Sequence, residues 1–159
     1  MNFTLSQYVV LGFLAIASIF DLMARKVPNY VVGSGMLLAF IFSASNHVGI
    51  NVMDCLFGGL LGLIIFYYPY AKGYLGAADT KLTMMVGMFL GPRLSLWAFI
   101  FSCLSGGFIA MLAAISQCRL KKSFTNIYQY SEVEMNFPYA IAIFTGTSMA
   151  IFNCQRVLL

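Results

Sequence analysis

Charge is what this sequence has least of. Only 9% of its residues are charged, 61% are hydrophobic, and the mean hydropathy is +0.88. A soluble domain carries roughly a quarter charged residues. A chain this apolar cannot cover a water-facing surface with polar groups, so lipid is its natural solvent. The net charge of +4 is modest, and no basic patch is interleaved with aromatics, which argues against nucleic acid as a partner. Histidine is nearly absent: His47 stands alone, and the cysteines Cys55, Cys103, Cys118 and Cys154 form no CxxC pair. That set makes no convincing zinc site, so no metal and no cofactor are expected. The cysteines read as small apolar packing residues. No Lys or Arg precedes the first apolar run. A cleaved signal peptide would need one, so the run reads as a membrane span. Internal repeats and low-complexity segments are missing too.

Long apolar runs are what the chain does have. They cover about Leu5–Phe20, Tyr30–Ser45, Val48–Tyr70, Leu82–Leu90, Leu94–Ser116 and Phe137–Phe152. A span needs about 17–25 residues. The run Leu82–Leu90 is short, and its length alone leaves a crossing, a buried helix or a re-entrant segment open. Gly91-Pro92 separates it from the next run, as a helix stop followed by a new start would. Charge gives a topology. Arg25 and Lys26, Lys72 and Lys81, and Arg119, Lys121 and Lys122 follow alternate runs, while the opposite ends hold only Arg93 and Arg156. Basic loops mark the cytoplasmic side. The split works only if the short run crosses. The expectation is therefore an all-α polytopic membrane protein, one domain over residues 1–159, with about six spans and both termini outside the cytoplasm. Gly58 and Gly62, Gly87 and Gly91, and Gly106-Gly107 offer thin places where helices approach closely in lipid. The polar stretch Ser116–Asn136, with Glu132 and Glu134 beside the basic cluster, reads as a cytoplasmic loop.

Five acids remain: Asp21, Asp54, Asp79, Glu132 and Glu134. Asp21 ends the first run and Asp79 precedes the fourth, and both face the cytoplasmic side in this topology. A carboxylate at a membrane edge is costly unless it has a function or a firm partner. The bland reading pairs Asp21 with Arg25, and Asp79 with Lys81 or Lys72, as snorkelling edge charges. Context favours chemistry. Pro28 pushes Val27 out of the helical region, so Asp21 stands beside a short, shaped turn running to Asn29. Asp79 follows Gly76-Ala77-Ala78, small residues that let another backbone come close. Two carboxylates brought together in a sheltered site resist ionising together, so the pair holds one shared proton. The ionised member takes a proton from water, and the protonated one donates to the scissile carbonyl. No Ser, Cys or His has a plausible base beside it.

At these residues the sequence resembles the type IV prepilin peptidases. The likeness is to their short stand-alone form in tight-adherence pilus systems and to the related archaeal preflagellin peptidases. The motifs are Phe20-Asp21 with Pro28-Asn29, and Gly76-Ala77-Ala78-Asp79-Thr80-Lys81, similar to the family's Gly-x-Gly-Asp-x-Lys. Phe137-Pro138-Tyr139-Ala140-Ile141-Ala142 resembles the segment opening its final helix. Order, spacing and span count agree along nearly the whole chain. The resemblance implies a GxGD-type aspartyl protease with Asp21 and Asp79 catalytic, and with Pro28, Asn29, Gly76 and Lys81 near the substrate. It implies a pilin-like precursor with a basic leader as substrate, cut at the cytoplasmic face of the inner membrane, with lipid and pilus assembly machinery as further partners. Larger members carry paired CxxC motifs and methylate the new terminus. Their absence here predicts peptidase activity without methyl transfer. The chain departs from the pattern at Ala78, where the family has Gly: a backbone there with positive φ would strain Ala.

Two other readings fit the same residues. Presenilin-type proteases share the Gly-x-Gly-Asp motif but have longer chains and cut inside an apolar segment. A small proton- or ion-coupled transporter, or a non-catalytic assembly subunit, would also place Asp21 and Asp79 in the membrane.

Overall fold

The computed structural model describes residues 4–24, 27–45, 50–73, 75–121 and 139–157. Among the described residues five helices run in order: α1 (Leu5–Ala24), α2 (Asn29–Ala44), α3 (Val52–Ala71), α4 (Ala77–Lys121) and α5 (Tyr139–Val157). The described residues are otherwise turns and connections, so the fold is all-helical. Among the described residues three stretches are long and apolar enough to cross a membrane: Leu5–Ala24, Val52–Ala71 and Ala77–Ile109. Two shorter apolar helices, Asn29–Ala44 and Tyr139–Asn153, accompany them. Length and composition alone therefore give three span-capable helices where the sequence suggested six. α2 stops at 16 residues, and α4 absorbs two of the predicted runs into one element.

That long element is not straight. Gly91 has φ 71 and ψ 176, a conformation that side chains with a Cβ avoid. Pro92 follows with its fixed φ and no N–H, which suits the first position of a new helix. Contacts show how far the chain turns. A Cβ built on Gly62 would lie 2.6 Å from the Thr83 carbonyl oxygen and 3.0 Å from Phe99 Cζ. Thr83 and Phe99 flank Gly91 at equal distances along the sequence, and in a continuous helix they would stand about 24 Å apart. Here both touch one residue of α3. The Asp54 Cβ, at the start of α3, lies 3.9 Å from the Cβ position of Gly91. α4 is thus a helical hairpin. Residues 77–90 run antiparallel to α3, and residues 92–121 run back parallel to it. The predicted stop and start at Gly91-Pro92 is this reversal.

Residues 77–90 form the centre of the molecule. Leu82, Thr83, Met85, Val86 and Phe89 are almost wholly buried. They are enclosed by α3, by α2 through Gly35 against Met85, and by Phe13 of α1 stacked on Phe89 at 6.3 Å. The α3 contact is backbone on backbone: a Cβ on Gly58 would strike the Gly87 carbonyl, and one on Gly87 would strike that of Gly58. In lipid, where apolar side chains gain nothing by leaving solvent, such close approach supplies the packing energy. The glycine expectations need one correction. Gly91 both makes the reversal and brings its backbone close to Gly58, and Gly106 abuts the Tyr139 ring, but Gly107 has open space beside it. The outward faces remain apolar, with Phe57, Leu60, Ile64, Trp97 and Phe108 exposed, as a lipid-facing surface requires.

The second arm of α4 pairs with α5. Gly146 packs on the Ser102 backbone, and Ser105 Oγ donates to the Ala142 carbonyl at 2.8 Å. The helix continues through Ser116 to Lys121, so the predicted loop begins later than expected. His47, Lys122, Glu132 and Glu134 lie outside the described residues. The alternating directions bring the end of α1, the end of α3 and the starts of α2, α4 and α5 to one end of the bundle.

Candidate active site

Asp21 sits one turn before the end of α1 and is only 8% exposed. Its Oδ2 accepts a hydrogen bond from the Ala140 backbone N–H at 3.1 Å. Ala140 is in the opening turn of α5, where backbone N–H groups have no partner within their own helix. A carboxylate there is also favoured by the helix dipole. One turn back on α1, Ser18 Oγ donates to the Leu14 carbonyl at 2.8 Å and to the Ala140 carbonyl at 3.3 Å. Asp21 and Ser18 thus hold both polar groups of the Ala140 backbone and fix the start of α5 against the end of α1.

Asp79 occupies the first turn of α4 and is half-buried. The residue before that helix is Gly76. Asp79 makes a side-chain hydrogen bond with the Gly76 backbone, and its own N–H donates to the Gly76 carbonyl at 3.2 Å. An acid reaching back to the cap residue is half of a capping box. A Cβ on Gly76 would lie 3.3 Å from Asp79 Oδ2, so the glycine leaves room for the carboxylate itself. Ala78 lies inside the helical turn, and among the described residues the positive-φ glycines are Gly73 and Gly91. Position 78 therefore takes ordinary helical backbone, and Ala suits it without strain.

The two carboxyl groups, carried by α1 and α4, lie within electrostatic reach of each other. Around them the two sequence motifs also meet. Pro28, with φ −64 and ψ 135, precedes α2, and Asn29 is its first residue. Lys81 Nζ donates to Asn29 Oδ1 at 3.2 Å. Lys81 therefore engages an amide, not Asp79 as the edge-charge reading had it; Arg25, the suggested partner of Asp21, lies outside the described residues. Among the described residues no three His, Cys, Asp or Glu side chains gather as metal ligands would.

Sequence reasoning missed part of this neighbourhood. Tyr139 was noted only as part of a helix-opening segment. Its ring stands edge-on to Phe66 at 6.4 Å, its hydroxyl shares a hydrogen bond with Cys103, and it feels the charge of Asp79. Ser18 gave no signal, being a single hydroxyl in an apolar run. Asp54 is at the other end of the bundle, in the first turn of α3.

A model of the type IV leader peptidase family matches residues 8–111. No curated protein and no solved structure matches the chain. The matched region holds Asp21, Pro28, Asn29, Gly76, Asp79 and Lys81, and ends before α5. It spans well over half of the sequence: the chain belongs to the type IV leader peptidase family.

Proposed function

We propose that this member of the type IV leader peptidase family is a membrane aspartyl endopeptidase, and that Asp21 and Asp79 are its catalytic pair. One observation carries the reading: two acids far apart in sequence, on different helices, come within electrostatic reach at one end of the bundle. Each is held by backbone hydrogen bonding, Asp21 by Ala140 and Asp79 by Gly76. Such a pair shares a proton. The ionised carboxylate draws a proton from a water molecule whose oxygen attacks the scissile carbonyl. The protonated carboxyl donates to the carbonyl oxygen. Collapse of the resulting diol breaks the C–N bond, and the departing amine takes up a proton.

The substrate in this reading is a pilin-like precursor, a basic leader followed by an apolar helix, cut at the cytoplasmic face of the inner membrane. Lys72 and Lys81 belong to the end with the two acids, and Arg93 to the end with Gly91. Basic residues favour the cytoplasmic side. Reversal of α4 at Gly91 supports counting its arms separately, which gives six crossings and both termini on the far side. Absence of CxxC pairs in the sequence supports cleavage without methyl transfer.

The test is co-expression with a pilin precursor, read by intact mass, for the wild type, Asp21→Asn and Asp79→Asn. The expected result is a leader-sized loss with the wild type alone. Proton or ion flux that disappears in Asp79→Asn, with no cleavage by the folded wild type, would replace the peptidase reading with a transporter.

A further inference from the structure

The first turn of α5 lies beyond the residues matched by the family model, yet it touches the surroundings of both acids. Ala140 holds Asp21 through its N–H. The neighbouring Tyr139 projects its ring toward the second arm of α4. There a Cβ on Gly106 would lie 2.9 Å from Tyr139 Cε2 and 3.3 Å from its hydroxyl oxygen. The ring therefore fills a slot that exists because residue 106 has no side chain. Phe66 closes one side of the slot and is itself edge-on to Phe99 at 5.6 Å. The hydroxyl is tied to the Cys103 thiol, and Asp79 and Tyr139 interact electrostatically.

We propose that the opening turn of α5 is a strut that sets the separation of the two acids, with Tyr139, seated against Gly106, as a positioning residue for the cleavage reaction. The inference rests on the peptidase reading above and adds a residue to it. Its physical basis is continuity. Tyr139 and Ala140 are adjacent on one rigid helical turn, so displacement of the ring moves the N–H that holds Asp21 relative to α4, which carries Asp79. Errors of about 1 Å in such geometry cost up to about a hundredfold in rate.

The full-length protein in lipid is assayed for precursor cleavage across pH as wild type, Tyr139→Leu, Gly106→Ala, and Gly106→Ala combined with Tyr139→Leu. Gly106→Ala, which crowds the ring, is expected to lower kcat about tenfold or more, to leave KM within about twofold, and to move the pH profile. Tyr139→Leu, which shortens the crowding side chain, is expected to restore part of that kcat in the double variant. Wild-type kcat in Gly106→Ala overturns the proposal, as does a fall with an unmoved pH profile and no recovery. Should Gly106→Ala fail to fold, Tyr139→Leu alone decides, because it takes the ring out of the slot: a lowered kcat with a displaced pH profile supports the strut, and wild-type kcat with an unchanged profile overturns it. A second readout does not depend on cleavage. In a chain with Cys103 as its only cysteine, maleimide labelling is compared between wild type and Asp79→Asn. A change of about fivefold or more, roughly what 1 kcal/mol of coupling gives, supports the strut even if the wild type cuts no precursor and the peptidase reading falls. Equal labelling overturns the strut.

Discussion

The two ends of the bundle each carry an aspartate in the first turn of a helix, Asp79 on α4 and Asp54 on α3. The residue type and the helical position are the same, but the surroundings differ. Around Asp79 stand a second buried carboxylate, the starts of two other helices, and a Lys–Asn contact joining α4 to α2. Around Asp54 stands the Gly91 reversal, with its backbone packed on α3. One end gathers polar groups, and the other gathers thin backbone. An acid at a helix start satisfies the dipole wherever it occurs, so that position says nothing about chemistry. Convergence with a second acid is what separates the ends.

The largest expected effect tests that separation directly. Asp21→Asn and Asp79→Asn each remove one acid and keep its shape. Loss of one acid–base partner lowers a rate by about 10²–10⁴-fold, and cleavage by either variant should fall at least that far. Asp54→Asn should cleave within about twofold of the wild type, since an isolated surface-end change is usually worth less than about 0.5 kcal/mol. A comparable fall in all three would erase the distinction between the ends.

Next in size is the packing that holds the far end together. Gly87→Leu should strip the protein of its fold, because the obstacle is the Gly58 carbonyl and not a side chain that can rotate away. Overpacking costs about 1–3 kcal/mol even where side chains yield. Gly107→Leu, facing open space, should be tolerated. Thermal unfolding in detergent, followed by circular dichroism, compares the two. Gly91→Ala falls between them: the φ of 71 is strained for Ala by about 1–3 kcal/mol. Its melting point should drop, while cleavage per folded molecule persists, because Gly91 lies at the end away from the acids.

The same contrast explains what could be read from the sequence. Apolar runs, the Gly91-Pro92 break and the two acids are local signals, and each corresponds to a feature of the fold. The run Leu82–Leu90 was ambiguous because a buried helix of that length looks like a short span. Its burial depends on α2 and α3, which no local window contains. The GxxxG spacing identified Gly58, Gly62 and Gly87 as contact points but could not tell that Gly91 bends. At the site, both acids and Lys81 stood out by type in an apolar chain. Tyr139 did not, being one aromatic among many, and its place follows from Gly106 more than thirty residues earlier. The concern over Ala78 came from treating a glycine position as a turn, whereas the helix has already begun there.

The smallest expected effect concerns Lys81 and Asn29. Their hydrogen bond is exposed and spans 3.2 Å, so it should contribute no more than about 1 kcal/mol. It is nevertheless a contact that joins the first residue of α2 to the helix carrying Asp79. If it positions the Pro28-Asn29 turn for substrate, Lys81→Met and Asn29→Ala should each raise KM by a few fold, about 1 kcal/mol or less, and leave kcat nearly intact. The double variant should be no worse than either alone, since the second change removes a partner already lost. Additive losses would mean that the two side chains meet substrate separately, and the polar end would then hold two independent contacts in place of one latch. A fall in kcat with KM unchanged would instead place Lys81 with the acids, as part of the reacting group.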